Sequence, residues 1–388
     1  MKPIYLDYNA TTPLDRAVEE AMLPFLKGGL GGRFGNPSSS HEYGREAHSA
    51  VEMARRQVAR LLGCMPDEIV FTGCGSEADN LAIKGVAEAY RGKGNHIITT
   101  QIEHPAVLNT CHYLERSGYQ VTYLPVDEYG LVDPSAVAAA ITERTILVSI
   151  MHANNEVGTV EFIAAIGVIV HRRGILFHTD AAQSVGKIPT KVDELGVDLL
   201  TVAGHKLYAP KGVGALYVRA GTRLEPLIHG AGHEGGRRAG TENVPHIVAL
   251  GKACEIAGKT MAGYVPRLQE LRDRLHRLLA LEVDGLKLNG HSTERLPNTL
   301  NVSFPGVDGG ALLARTPQVA ASTGSACHAG RTEPSAVLVA MGMQREMALG
   351  AVRLSLGKFT TAVDVDQAAA ALIRGVKELW SEAKTSRG

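Results

Sequence analysis

The chain has 388 residues, enough for one large domain plus a smaller one with ample core. At 45% hydrophobic and 21% charged residues, it reads as a globular protein surrounded by water. Forty basic residues cancel forty acidic ones, which excludes a whole-molecule field built for nucleic acid or an anionic membrane. The cysteines are Cys64, Cys74, Cys111, Cys254 and Cys327, an odd number with no C-x-x-C. That pattern indicates neither a disulfide framework nor a zinc module. No metal is expected, and the expected setting is reducing and cytoplasmic. The start, M-K-P-I-Y-L-D-Y-N-A-T-T, lacks the apolar core of a signal peptide or membrane helix.

Ile4–Leu6 reads as a short strand or extended arm, followed by a turn-like stretch from Asp7 to Pro13. Apolar spacing predicts helices over Arg16–Leu26 and Glu42–Leu62. Between them, Lys27 to His41 holds five glycines and a proline, which forbid regular structure. A surface loop and an active-site rim fit that stretch equally. Glu68–Thr72 is a strand running into Gly73-Cys74-Gly75-Ser76-Glu77 and a helix. Strand, glycine turn and helix start make an anion site, so a phosphate could dock on Gly75 and Ser76. Many purely structural strand–helix turns look the same. Cys74 reads as a small packed thiol.

His96–Thr100 is the next strand, with Glu103 and His104 at its carboxyl side. His104 could stack on a flat ring or move protons, or simply open the helix before Pro105. Gln120–Val126 and Thr145–Met151 follow as strands. The second leads into Asn154-Asn155, where Asn155 could donate to a substrate carboxylate or a cofactor oxygen, or serve turn chemistry.

From Gly174 to Lys211 there are two apolar runs of strand length, ending in His178-Thr179-Asp180 and in Gly204-His205-Lys206. Ligands in open α/β sheets sit beyond the carboxyl ends of strands, so both polar sets face one crevice. An acid, the amide of Gln183 and a lysine converging there fit pyridoxal phosphate. That cofactor needs a lysine for attachment and an acid opposite its pyridine nitrogen. The plain alternative makes Asp180 a helix cap and Lys206 a solvated loop lysine.

The alternation of strands and helices predicts an α/β fold, with a mainly parallel sheet covered on both faces. Gly212–Val218 is a further strand, followed by the long polar loop His229–Asn243, which suggests function or an interface. Pro245–Leu281 is helical with an interruption expected near Pro266, where the domain change is placed. From Asn298 onward strands and helices alternate again, ending in the amphipathic helix Val363–Lys384. In this part A-S-T-G-S-A-C-H-A-G frames Cys327 with small residues. That framing suits a thiol that must move or be reached, or a cysteine in a turn. Arg353 lies inside an apolar run and needs an anion, either a substrate carboxylate or a structural partner.

Together these segments resemble the pyridoxal-phosphate-dependent cysteine desulfurases of the nitrogen-fixation and iron–sulfur-cluster type, in the class-V aminotransferase-like family. The matching segments include Y-L-D-Y-N-A-T-T-P, F-T-G-C-G-S-E-A-D-N, A-N-N-E-V-G-T, H-T-D-A-A-Q, G-H-K-L-Y-A-P-K-G, R-R-A-G-T-E-N, L-P-N-T-L-N and S-T-G-S-A-C, in family order across nearly the whole chain. The resemblance implies fold type I, a mainly parallel central sheet covered by helices plus a smaller C-terminal α/β domain. Residues 1–15 would be an arm packed on the small domain, 16–260 the large cofactor-binding domain, and 261–388 the small domain carrying the cysteine loop.

The resemblance also implies conversion of L-cysteine to L-alanine. The sulfur passes to Cys327 as a persulfide for delivery to acceptors, in iron–sulfur cluster assembly or thio-modification. Lys206 would carry pyridoxal 5′-phosphate and shuttle the substrate α-proton. Asp180 would face the ring nitrogen, Gln183 the ring hydroxyl, and His104 would stack on the ring. Gly75, Ser76 and His205 would hold the phosphate, joined by Thr241 from the partner of a homodimer. Asn155 and Arg353 would bind the substrate carboxylate. Acceptor or scaffold proteins would dock at the Cys327 loop, with no direct nucleic-acid or membrane partner.

The chain departs from the family pattern at Ala203, where many members have serine, at Ser76 in place of threonine, and at Cys74. A selenocysteine lyase shares most of these motifs. An aminotransferase leaves the S-T-G-S-A-C segment unexplained, and Lys206, Asp180, His104 and Cys327 oppose a non-enzymatic sulfur-trafficking scaffold.

Overall fold

The computed structural model describes residues 2–324, 326–328 and 331–385, with the backbone alone at 326–328, 331, 332 and 384. Among these, seven strands form one sheet. Their order is Ile69–Thr72, Gly214–Val218, Leu199–Ala203, Leu176–Asp180, Thr145–Ser149, His96–Thr100 and Gln120–Leu124. The last five run parallel. Gly214–Val218 is antiparallel to both of its neighbours, so the expected mainly parallel sheet has one reversed strand. Thr145–Ser149 and Leu199–Ala203 are buried at every position, which is why they read as unbroken apolar runs rather than alternating ones.

A smaller antiparallel sheet joins Ala351–Ser355, Thr299–Ser303 and Lys287–Asn289. The N-terminal strand Ile4–Tyr5 pairs in parallel with Val319–Ala320, and Asp7 bridges Ser355. Leu6 is buried in the same apolar cluster as Leu300, Val302 and Leu354 of the smaller sheet.

The interruption expected at Pro266 is absent, and Val244–Glu282 is a single helix of 39 residues. An interior proline costs about 3 kcal/mol. Against it, Leu268, Leu271, Leu275 and Leu279 are buried in the cluster around the smaller sheet, each contributing roughly 1.5–3 kcal/mol. Ile247, Leu250 and Ala253 at the other end are buried with the large sheet. Beside the proline, Tyr264 donates to the Gly186 carbonyl and Arg267 to the Thr360 carbonyl, holding the helix on both units. Among the described residues, no helix is long and apolar enough to cross a membrane.

Candidate active site

The carboxyl ends of the parallel strands open into a cavity of about 300 Å3. Leu176–Asp180 brings Asp180 to it, and Leu199–Ala203 leads through a single 3-10 turn to His205 and Lys206. The helix Gly75–Ala89 opens its first turn onto the same space. His104, Asn155, Gln183 and Arg353 complete the wall with Asn9 and Ala10 of the N-terminal arm.

Lys206 Nζ donates to the carbonyl oxygens of Asn9 and Ala10, the latter at 2.8 Å. Burial pushes its pKa down to about 8; Arg353 lowers it further, while Asp180 and Asp7 pull it up. A nucleophilic lysine needs its neutral amine within reach of neutral pH, and this one has it. The nearby Lys187 is only 6% exposed and is not part of the cavity wall.

Asp180 Oδ1 accepts the Ala182 N–H at 2.9 Å. Burial raises its pKa, opposed by that N–H and by the charges of His104 and Lys206. A carboxylate enclosed this way calls for a proton or a cation opposite it. Asp79, 2% exposed, also lines the cavity. Its Oδ1 has no hydrogen-bond partner and lies 3.7 Å from His178 Nε2. Burial and then the Asp180 charge drive the Asp79 pKa well up. His104 Nδ1 accepts the Ala106 N–H at 3.1 Å, capping the helix Pro105–Arg116. Burial lowers its pKa, which leaves a neutral ring with its proton on Nε2.

At the start of Gly75–Ala89, a Cβ on Gly75 would come within 3.1 Å of the Ala203 Cβ. Glycine at 75 and a small residue at 203 therefore let the first helical turn approach the strand end, where Gly75 and Ser76 line the cavity. Cys74 corrects the expectation of a packed thiol. It is exposed, lines the cavity and caps the helix, its Sγ accepting the Glu77 N–H at 3.4 Å. The N-cap position turns this side chain back over the first turn instead of into the core. His205 Nδ1 lies 3.2 Å from Thr11 Oγ1, and burial with the surrounding cations pushes its pKa down to about 4.

The class-V aminotransferase profile matches residues 4–368. The chain belongs to this family. It is 50% identical to the cysteine desulfurase IscS of Dictyoglomus turgidum, over 97% of this chain and 95% of that one. A NifS-like protein superposes with a TM-score of 0.89 at 40% identity, covering 98% of this chain and 99% of the other. The structure of SspA in complex with cysteine matches with a TM-score of 0.80 at 39% identity, covering 92% and 99%.

The cavity brings together Gly75, Ser76, His104, Asn155, Asp180, Gln183, His205, Lys206 and Arg353. Thr241 is not among them. It is exposed, on a loop pinned at its base by Arg55–Glu234 and Arg238–Glu77 ion pairs. Residues 326–328, with Cys327, pair antiparallel with 331–333, and the Cys327 thiol lies outside the described residues.

The sequence reading missed the residue that ties the site together. The Asn9 carbonyl accepts from Lys206 Nζ and from Gln183 Nε2, the latter at 2.9 Å. Its Oδ1 accepts from Asn298 Nδ2 at 3.1 Å and Lys187 Nζ at 3.4 Å, and its Nδ2 donates to Thr299 Oγ1 at 2.9 Å. The D-Y-N and L-P-N-T-L-N segments carried the signal, but neither motif shows that the two meet across 290 residues.

Proposed function

We propose that the chain is a cysteine desulfurase that uses pyridoxal 5′-phosphate, converts L-cysteine to L-alanine and passes the sulfur to Cys327. The observation that carries this reading is the convergence of Lys206, Asp180, the Gly75 helix start and Arg353 on one cavity. The donor set fits the cofactor. A helix N-terminus with close-packed glycine suits the phosphate, a buried acid suits the ring nitrogen, and a lysine with a depressed pKa suits the aldehyde. Gly75, Ser76 and His205 would hold the phosphate, Asp180 the ring nitrogen, Gln183 the ring oxygen and His104 the ring face.

When bound, pyridoxal phosphate supplies an electron sink that makes the α-proton of an amino acid acidic. The chain's own groups do the rest. Arg353 and Asn155 both line the cavity, and together they receive the substrate carboxylate. Lys206 Nζ, titrating at about 8, takes and returns the α-proton. His104, neutral through burial, holds its Nε2 proton for transfer near the substrate. The Cys327 thiolate attacks the substrate sulfur, so the carbon–sulfur bond breaks as the sulfur–sulfur bond forms. The carbon left behind takes a proton to become the alanine methyl group.

The working unit is a homodimer in which Thr241 of each chain serves the other's phosphate site. Residues 1–15 act as the arm, 16–260 as the cofactor-binding domain and 261–388 as the domain that presents Cys327 to sulfur acceptors, including those of iron–sulfur cluster assembly. Cys64, Cys74, Cys111 and Cys254 are all free thiols, which suits a reducing cytoplasm. The test is incubation of the cofactor-loaded protein with L-cysteine, measuring alanine and the Cys327 persulfide together. Alanine without a persulfide at Cys327 refutes the sulfur route, and no alanine refutes the activity.

A further inference from the structure

Lys187 lies just outside the cavity wall and has no part in the mechanism above. Its Nζ donates to Gln183 Oε1 at 2.9 Å and to Asn9 Oδ1 at 3.4 Å, both neutral amides. Gln183 turns its other end to the Asn9 carbonyl, Nε2 to O at 2.9 Å. A lysine amine facing an acceptor only donates, and a backbone carbonyl only accepts. These two contacts therefore decide which end of the Gln183 amide is oxygen and which is nitrogen. A half-turn of the amide would set N–H groups against Lys187 and oxygen against oxygen at Asn9.

Nε2 carries two hydrogens, and Asn9 takes one of them. Gln183 lines the cavity, so the second N–H remains for an acceptor there. Burial, then the charges of Lys206 and Arg353, push the Lys187 pKa down to about 7. The lock survives that titration, because a neutral amine still has two N–H groups for its two acceptors. A buried amine is a costly side chain to keep where a methionine of the same length would pack. Its hydrogen bonds give the reason for its presence.

We propose that Lys187 is a positioning residue that locks the Gln183 amide so that an N–H, and not the carbonyl, meets the ring oxygen of the bound cofactor. This rests on the reading of the cavity as a pyridoxal phosphate site. An N–H donated to an ionised ring oxygen stabilises its charge and leaves the proton on the lysine–cofactor linkage less firmly held. Loss of the lock lets the carbonyl swing toward that oxygen, and the linkage then holds its proton to higher pH.

The experiment is a pH titration of the visible absorbance of the cofactor-loaded protein, for wild type, Lys187→Met, Gln183→Ala and the double variant. Lys206, Arg353, Asp180, His104, His205 and Asp7 remain in all four and cancel in the comparison. Lys187→Met is expected to raise the midpoint by about one pH unit, the size of one charge-assisted hydrogen bond. In the Gln183→Ala background the same change should add little, because there is no amide left to orient. Lys187→Leu, shorter, apolar and without an N–H to donate, is read in the same way if Lys187→Met does not fold. Coincident midpoints for wild type and the Lys187 variants overturn the proposal. So does a full shift that persists without Gln183, since Lys187 would then act by charge alone. A wild-type protein that binds no cofactor would instead remove the underlying reading of the site.

Discussion

Arg353 Nη2 donates to Asp7 Oδ1 at 2.8 Å, joining the strand Ala351–Ser355 to the N-terminal arm. The other Asp7 oxygen accepts from Ser322 Oγ at 2.9 Å, at the foot of the segment that carries Cys327. Arg353 Nη1 donates to the Asn155 carbonyl at 3.0 Å, while Nε is buried without a partner. The arginine is thus in the structural ion pair that the sequence left open, and it also lines the cavity where the proposed substrate carboxylate would bind.

Arg353→Ala should therefore raise KM for L-cysteine by about 30-fold or more, from a lost pair worth about 2–5 kcal/mol, with kcat moving less. Asp7→Asn keeps an acceptor for Nη2 but removes the competing charge, so KM should fall. Steady-state kinetics on both variants check the pair. An unmoved KM in Arg353→Ala makes the residue structural only.

The depressed Lys206 pKa sets the pH dependence of cofactor uptake. Its pKa falls from 10.5 to about 8, so the neutral amine is the minor form below pH 8. Mixing pyridoxal phosphate with cofactor-free protein should show an attachment rate rising about tenfold per pH unit up to pH 8 and levelling above it. Borohydride reduction and peptide mapping should then place the label on Lys206. A label on Lys187 or Lys211 defeats the assignment.

Glu103 carries a stability signature. It is 3% exposed, and Oε1 accepts from Thr100 Oγ1 at 2.8 Å and from the Met151 N–H at 2.9 Å. Burial raises its pKa from 4.5 to about 8 despite those two bonds. The folded state then holds a proton that the unfolded chain releases, so this stabilisation is complete below pH 4.5 and is lost as pH rises through 8. Glu103→Gln copies the shape of the neutral acid. Thermal unfolding of the cofactor-free protein should show the variant close to wild type near the acid end of that window and more stable above its upper end. Parallel pH profiles would contradict the assignment.

Thr241 is exposed and is not in the cavity wall of its own chain, while the base of its loop is fixed by the Arg238 Nε–Glu77 Oε1 contact at 2.8 Å. Thr241→Ala should weaken cofactor retention. Mixed dimers of Thr241→Ala with Lys206→Ala should recover one intact site and part of the activity. Mixed dimers without activity, or a fully active monomer, rule out a shared site.

Much of this was legible because it is local. The strands Thr145–Ser149 and Leu199–Ala203 are apolar runs buried at every position, and helix Glu42–Leu62 ends at Gly63, which takes the left-handed conformation with φ 76°. Lys206 stood out because it comes just after Leu199–Ala203, and Asp180 because it ends the apolar run Leu176–Asp180. The helix through Pro266 was misread because the burial that outweighs the proline comes from two separate clusters. Cys74 was misread because a helix cap and a packed turn share one sequence pattern. Asn9 and Lys187 stayed hidden because their partners are fixed by tertiary contacts, and a lone asparagine or lysine has no periodicity to read.

Cys327→Ala leaves Lys206, Asp180 and Arg353 untouched, so the variant should bind the cofactor and L-cysteine with unchanged affinity. It should then stall, because no thiolate is present at that position to take the sulfur. The described thiols differ sharply as substitutes. Burial pushes Cys111 and Cys254 up to about 12 and encloses both, so neither supplies a thiolate near neutral pH. Cys74 alone of the described thiols lines the cavity and is exposed. Any residual alanine production in Cys327→Ala should therefore vanish in the Cys327→Ala/Cys74→Ala double variant. Selenocysteine sharpens the comparison, since its carbon–selenium bond is weaker and the selenol leaves more readily. A single variant that is dead on cysteine but retains activity on selenocysteine fits a desulfurase whose acceptor is Cys327. Wild-type turnover of L-cysteine by Cys327→Ala removes that residue from the reaction, and persulfide mapping on Cys74 then decides whether the thiol at the helix cap takes the sulfur.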